Sequence, residues 1–178
     1  MKINKNDIID IVENAMSWVV VLGMLVYGAG KLVQFDGAAS IQKSVSELTG
    51  MELMWAFYGY SFTFAVLLGI LELLGATLIF FKKTRLIGCL FTSTILINII
   101  IQDIVFEVHV GALRAALFYQ TMIVIILILN KEQLVAAIRE LLYQQRKASS
   151  FKKQGLKLGL GMLLFVLLRL AEMYLTRF

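Results

Sequence analysis

The chain has 178 residues, of which 60% are hydrophobic and 16% charged, and it contains no proline and one cysteine. A soluble domain is ordinarily about 45–50% apolar and about 25% charged, so this composition excludes a soluble globular protein and predicts an integral membrane protein. The lone Cys89 excludes an intramolecular disulfide or dithiol redox pair, and the lone His109 excludes a histidine-rich metal site, so no metal site is predicted.

The net formal charge of +5 raises nucleic acid as a partner. The basic residues, however, lie in loops beside apolar runs, which is the pattern of membrane topology. We therefore predict the lipid bilayer as a partner and no nucleic acid. Residues 1–13 are polar and mixed in charge, and no small-residue cleavage pattern closes the first apolar run, so no removable signal peptide is expected.

The first predicted span covers residues 15–32. Lys31 lies near its end, where the ammonium can extend to the interface or pair with an acid at the same depth. Residues 33–50 are too polar to span, and a short interfacial helix is predicted there. The expected inward face of the first span carries small and polar residues, namely Gly23, Tyr27, Gly30 and Gln34.

The second predicted span, residues 54–81, carries Glu72 in its middle. A carboxyl at that depth costs at least a few kcal/mol unless the protein satisfies it, so we expect it to face neighbouring helices. Glu72 is then either a neutral, hydrogen-bonded structural carboxyl or a functional group. A stripe of small residues at three- and four-residue steps supports the inward orientation: Ser61, Ala65, Gly69, Glu72 and Ala76, with Gly75 alongside.

A basic turn, Lys82-Lys83-Thr84-Arg85, precedes the third predicted span, residues 86–106. The positive-inside rule places this turn, and with it the N-terminus, in the cytoplasm. Most of the 17 Lys and Arg residues fall on that side. The predicted localisation is the bacterial inner (cytoplasmic) membrane, with several passes.

Polar residues of the third span share one face and reach the depth of Glu72, so a hydrogen bond between Glu72 and Asn98 is expected. The candidate interior polar site comprises Glu72, Asn98, Gln102, Asp103, Tyr27 and Gln120. A candidate outer-end cluster comprises Lys31, Glu107, His109 and Arg114. Pairing of Lys31 with Asp103 or of Arg114 with Glu107 would join these charges, and a solvated rim of loop charges is the alternative.

The fourth predicted span covers residues 113–129. Residues 131–155 form a basic amphipathic segment, which fits a helix on an anionic membrane surface or a docking helix for a partner. Residues 156–174 are predicted to form a fifth span, with an interfacial helix as the alternative. Arg169 and Glu172 interrupt this run at a spacing that allows an ion pair.

The predicted fold is therefore an all-α transmembrane helical bundle with a four-helix core and a fifth C-terminal membrane helix. Its predicted parts are the core at residues 1–130, the cytoplasmic segment at 131–155 and the last helix at 156–178.

Short glycine-based motifs resemble those of the DoxX-like family of small bacterial membrane proteins. The resemblance covers about residues 19–130 and implies a four-helix membrane core, sometimes found beside redox or sulfur-handling proteins. The motifs are Gly69-x-x-Glu72-x-x-Gly75-x-x-Leu78, then Arg85-x-x-Gly88 after the basic turn, Tyr27-Gly28-Ala29-Gly30-Lys31-Leu32 at the end of the first span, and His109-x-Gly111.

Two functions stay open. The first is a non-catalytic binding or assembly module for a membrane partner or lipid-like molecule, favoured because the sequence has no evident cofactor motif and no assignable catalytic residue. The second is a subunit of a quinone-linked membrane oxidoreductase acting on an apolar or sulfur-containing substrate, with the interior polar residues exchanging protons in a dry pocket. A cavity that reaches Glu72 from the lipid side would favour a ligand, and tight packing around it would favour a structural carboxyl.

Overall fold

The computed structural model describes residues 3–143 and 151–176, and every regular element in that part of the chain is helical. Two short 3-10 helices, Asp36–Ser40 and Val45–Glu47, occupy the stretch where a short interfacial helix was predicted. The prediction of an all-α bundle is confirmed. The α-helices are α1 (Lys5–Gly30), α2 (Gly50–Gly59), α3 (Phe62–Phe80), α4 (Arg85–Val105), α5 (Val110–Leu129), α6 (Lys131–Leu142) and α7 (Phe151–Leu175).

Five helical segments are long and apolar enough to cross a membrane: α1, α3, α4, α5 and Lys153–Leu175 of α7. Large apolar side chains such as Leu22, Leu67, Ile101 and Phe118 are exposed on the first four. In water such surfaces would promote association, whereas in a bilayer they match the acyl chains. The protein is a multi-pass integral membrane protein.

The chain divides into two compact units, Met1–Ile138 and Arg139–Phe178. In the first unit, α1 contacts α3 and α5, and α4 contacts the same two helices, so the four close around a common core. The centre of that core is apolar and fully buried, and it includes Val20, Met24, Ile79, Leu96 and Ile123.

The prediction that residues 54–81 form one span is wrong, because α2 ends at Gly59 and α3 begins at Phe62. Ser61, which its spacing placed on the buried stripe, is instead the N-cap of α3. Its backbone is extended, and its side chain accepts a hydrogen bond from the backbone N–H of Phe64 at 3.4 Å. A serine in this position satisfies one of the unpaired N–H groups at a helix start, which allows the chain to change direction there.

The separate helix α2 begins with a capping box. The Thr49 side chain accepts from the backbone N–H of Glu52, and the Glu52 carboxylate accepts from that of Thr49 at 2.9 Å. Glu52 also pairs with the Lys43 ammonium at 2.6 Å. The hydrogen bond from Lys43, together with that from the Thr49 backbone, lowers the pKa of Glu52 to about 2. The start of α2 is thus defined by local polar contacts.

The backbones of α1 and α3 touch where two glycines face each other. A Cβ at Gly69 would lie 2.6 Å from the carbonyl oxygen of Gly28, and a Cβ at Gly28 would lie 2.9 Å from the carbonyl oxygen of Gly69. Only glycine permits this approach. Ala65, Gly75 and Ala76 are also buried, so from Ala65 onward the predicted stripe of α3 does face other helices.

At the end of the first unit that carries the basic turn, a largely buried ion pair joins α1 to α4. Arg85 Nη1 lies 2.7 Å from Glu13 Oε1, with the two side chains 3% and 14% exposed. Arg85 Nε donates to the carbonyl oxygen of Ile79 at 3.3 Å, and Asn130 Nδ2 donates to the other Glu13 oxygen at 2.9 Å. We call these residues the Arg85 lock. It connects α1, α4 and the residue after α5.

The second unit contains the end of α6 and all of α7. Within α7, Arg169 and Glu172 form the ion pair that their spacing predicted. Residues 144–150, with Arg146 and Lys147 of the predicted basic segment, lie outside the described residues. The predicted division at residues 130 and 155 stays a prediction.

Candidate functional site

The first unit contains a cavity of about 660 Å³ at the end of the bundle where α1 ends and α5 begins. Its walls come from the end of α1, from α2 and α3, from the second half of α4 and from the start of α5. Small-molecule sites usually have volumes of about 300–1,000 Å³ and apolar walls with a few convergent polar groups. This cavity has that size and that kind of lining.

Most of the predicted interior site meets at this cavity. Five of its six candidate residues line the wall: Tyr27, Glu72, Asn98, Gln102 and Asp103. The sixth, Gln120, is not among the lining residues. Its amide nitrogen donates to the Ser93 hydroxyl at 2.7 Å, so Gln120 connects α5 to α4.

The predicted outer-end cluster is divided. Lys31 and His109 line the cavity, whereas Glu107 and Arg114 do not. No ion pair forms between Arg114 and Glu107. Glu107 has a φ of 52° in the turn from α4 to α5, which is uncommon for a residue with a Cβ. His109 caps α5, because its Nδ1 accepts from the backbone N–H of Gly111 at 3.1 Å.

The central carboxyl of the site pairs with Lys31. The Lys31 Nζ lies 3.6 Å from Glu72 Oε1, and the two side chains are 13% and 3% exposed. Lys31 also donates to the Gln34 side chain at 2.9 Å and lies 5.4 Å from the centre of the Phe35 ring. Its ammonium is therefore held inside the protein by an acid, an amide and an aromatic ring.

Two expected contacts of these residues are not formed. The hydrogen bond between Glu72 and Asn98 is absent, and Lys31 is paired with Glu72 and not with Asp103. The reason lies in the contact between α1 and α3 at Gly69. A Cβ on Gly69 would lie 3.2 Å from the Lys31 side chain, so Lys31 lies against α3 less than one turn from Glu72.

Asn98 belongs to a different polar chain, which connects α2 to α4. Tyr58 donates its hydroxyl to Gln102 Oε1 at 2.7 Å, and Gln102 Nε2 donates to Asn98 Oδ1 at 2.5 Å. The four-residue spacing of Asn98 and Gln102 does place them on one helical face, as predicted. The partner on α2 was not predicted.

Two oxygen atoms of the lining acids have no hydrogen-bond partner within the part of the chain that the structure describes. They are Glu72 Oε2 and Asp103 Oδ2. Most buried polar atoms in proteins are paired, and leaving one unpaired costs about 1–3 kcal/mol. Because both acids lie on the cavity wall, this wall retains acceptors for a group that the chain itself does not supply.

An aromatic group at the same end of the bundle was not identified from the sequence. The centre of the Phe35 ring lies 5.4 Å from that of Trp55 and 5.3 Å from that of Tyr58. Trp55 donates its indole N–H to the carbonyl oxygen of Gln34 at 3.0 Å. All three rings line the cavity, so α2 and the loop before it complete the site.

Replacing Glu72 by leucine should lower the melting temperature of the protein. The substitution removes the acidic partner of Lys31, and a buried group left unpaired costs about 1–3 kcal/mol. Glu72→Gln should cost less, because the amide keeps a polar oxygen next to the Lys31 ammonium. Cys89 is the single cysteine and is fully buried, so a thiol-reactive fluorophore reports unfolding in detergent. A Glu72→Leu variant that melts at the wild-type temperature would contradict the importance of this pair.

No protein-family model matches the chain, and no solved structure matches it. The chain is similar to a protein of Bacillus subtilis (strain 168) that is named uncharacterized protein YwoB. The two are 27% identical over 117 residues, which cover 65% of this chain and 74% of the relative. The name of that relative states no activity, ligand or partner.

Proposed function

We propose that this protein is a binding module of the bacterial cytoplasmic membrane that holds a lipid-like small molecule in its cavity without transforming it. The observation that carries this proposal is a cavity of about 660 Å³ that reaches the buried carboxyl of Glu72. A structural carboxyl would be surrounded by side chains of its own bundle. Here one of its oxygens has no hydrogen-bond partner among the described residues, and Glu72 lines the cavity.

The character of the cavity wall supports an amphipathic ligand. Leucine, isoleucine and methionine side chains from three helices contribute to it, including Leu68, Ile95 and Met54. These surfaces suit an apolar chain, since burying apolar area is favourable by about 25 cal/mol per Å². The acids, amides and Lys31 in the same wall suit a polar head.

We also propose that the N-terminus is cytoplasmic and that the cavity lies toward the outer side of the membrane. The basic turn Lys82-Lys83-Thr84-Arg85 supports this orientation, because basic residues are retained on the cytoplasmic side. Kinship with the DoxX-like family is part of the same proposal. It is supported by the burial of Gly69, Glu72 and Gly75, which carry the resemblance, on the face of α3 that contacts other helices.

Filling the cavity should displace the ligand. Thr94 lies on the cavity wall and Thr121 does not, although both are exposed and both donate their hydroxyl to a carbonyl of their own helix. Thr94→Phe is therefore the test and Thr121→Phe its matched control. We expect wild type and Thr121→Phe to retain an apolar small molecule after purification from bacterial membranes. Thr94→Phe should retain about tenfold less, equivalent to ~1.4 kcal/mol of binding free energy.

Mass spectrometry of the copurified molecules gives the result. Equal retention by Thr94→Phe and wild type would contradict the proposal. Recovery of a quinone in place of a lipid would support the alternative, a subunit of a quinone-linked oxidoreductase. Recovery of a stoichiometric protein without a small molecule would favour an assembly module.

A further inference from the structure

We infer that the ligand of this cavity carries a positively charged, hydrogen-bond-donating head, a primary amine, on an apolar chain. This inference rests on the proposed function and concerns the same cavity. It follows from which hydrogen-bonding groups of the wall are already used, from the sum of the wall charges and from the aromatic rings beside them.

The donors of the wall are mostly used by the chain itself. Each of four side chains in the lining donates to an acceptor within the protein. These bonds are Tyr58 to Gln102 at 2.7 Å, Trp55 to the Gln34 carbonyl at 3.0 Å, Lys31 to the Gln34 side chain at 2.9 Å and Tyr27 to the Ala112 carbonyl at 3.4 Å.

The unpaired buried atoms of the wall are acceptors. Glu72 and Asp103 are 3% and 5% exposed, and each has one oxygen without a partner in the described chain. An ionised carboxylate accepts hydrogen bonds and donates none, so in that form a donor is the group that satisfies it. The amide nitrogen of Asn98 also donates to no acceptor among the described residues. That side chain is exposed, so leaving its nitrogen unpaired costs less free energy. The missing complement is therefore a donor-bearing group.

The charges of the wall favour a cation. The cavity wall carries two acids, Glu72 and Asp103, and one ammonium, that of Lys31, so the formal charges of these three groups sum to one negative charge. A cationic head brings the sum to zero, whereas an anionic head would add a second buried charge without a partner.

The aromatic residues of the wall also favour a cationic head. The Lys31 ammonium already lies over the Phe35 ring, and Trp55 and Tyr58 line the same wall. The negative face of an aromatic ring attracts cations and repels anions. A primary ammonium combines the required charge with three N–H donors.

Trp55 provides the signal for a direct test. The chain has two tryptophans, and Trp18 is exposed on α1 away from this cavity, so Trp18→Phe leaves Trp55 as the sole fluorophore. In lipid nanodiscs this protein is titrated with probes that share one brominated alkyl chain. Their heads are a primary amine, a trimethylammonium, a hydroxyl or a carboxylate. Saturable quenching of Trp55 then reports occupancy of the cavity.

We expect the amine probe to reach half-maximal quenching at about a tenfold lower mole fraction than the hydroxyl and carboxylate probes. The trimethylammonium probe, which has the charge without the donors, should lie between them. Combining Glu72→Gln with Asp103→Asn should abolish the preference for the amine. Asp36→Asn, which removes an exposed acid that does not line the cavity, should keep it.

The outcomes separate the inference from the proposed function. Equal or stronger quenching by the hydroxyl or carboxylate probe overturns the inference and leaves the binding function standing. Survival of the amine preference in the double variant also overturns it. The same titration is made with Thr94→Phe added to the Trp18→Phe protein. If no probe quenches Trp55 more strongly without Thr94→Phe than with it, the proposed function itself fails. Reactivity of Cys89 in the double variant would show that this variant does not fold. The comparison of the four probes on the Trp18→Phe protein then decides the inference without it.

Discussion

Replacing Arg85 by leucine should destabilise the protein by about 3–5 kcal/mol, the cost of breaking a buried ion pair by removing one partner. Glu13, which is 14% exposed beside Arg85, would then carry an uncompensated charge with only Asn130 still donating to it. The loss is large because the Arg85 lock connects three parts of the bundle. Titration with a denaturing detergent, followed by helical circular dichroism, measures it. Cys89 is unsuitable here, since it lies one turn along α4 and local opening would expose it.

Two further variants separate this effect from a general loss of charge at the basic turn. Lys82 pairs with Asp10 at the same end of the bundle, but those side chains are 57% and 52% exposed. An exposed pair contributes about 0–1 kcal/mol, so Lys82→Leu should be nearly neutral. Combining Arg85→Leu with Glu13→Leu should recover much of the loss, because no charge is then left buried. Equal effects of Arg85→Leu and Lys82→Leu would contradict the Arg85 lock.

The second large effect is expected for Gly69→Val, which should destabilise the protein by about 3 kcal/mol through overpacking. The Cβ of any side chain at residue 69 would lie 2.6 Å from the carbonyl oxygen of Gly28. This oxygen belongs to the backbone, so it cannot move away by a change of rotamer as a side-chain atom can. The two helices must separate, which also pulls Lys31 from Glu72. The temperature at which Cys89 becomes reactive toward the thiol-reactive fluorophore in detergent measures this loss.

Gly30→Val is the matched control for Gly69→Val. A Cβ at Gly30 would meet nothing within 4 Å, although the residue lies at the same end of the α1 and α3 contact. We expect a change of less than about 1 kcal/mol, mainly from helix propensity. If both valine variants unfold at the same temperature, close packing of α1 on α3 does not stabilise the bundle as argued.

The break between α2 and α3 is marked in the sequence by helix-capping residues, which an average of hydropathy does not detect. Residues 54–81 are apolar almost throughout, so a window of mean hydropathy sees one span. Thr49-x-x-Glu52 is nevertheless a capping-box pattern that marks a helix start, and Gly59 followed by Ser61 marks an end and a new start. Reading these caps would have separated α2 and placed Trp55 and Tyr58 on their own short helix.

By itself, the sequence determined the membrane class, the approximate spans and the inward face that carries Glu72. These follow from composition and helical periodicity, which are properties of each segment alone. Only the tertiary structure decided that Glu72 pairs with Lys31 and that Gln102 accepts a hydrogen bond from Tyr58. It also decided that these four residues line one cavity. Counting residues gives a side chain's depth, but which helices are neighbours depends on how closely they approach, and here a contact between two glycines set that distance.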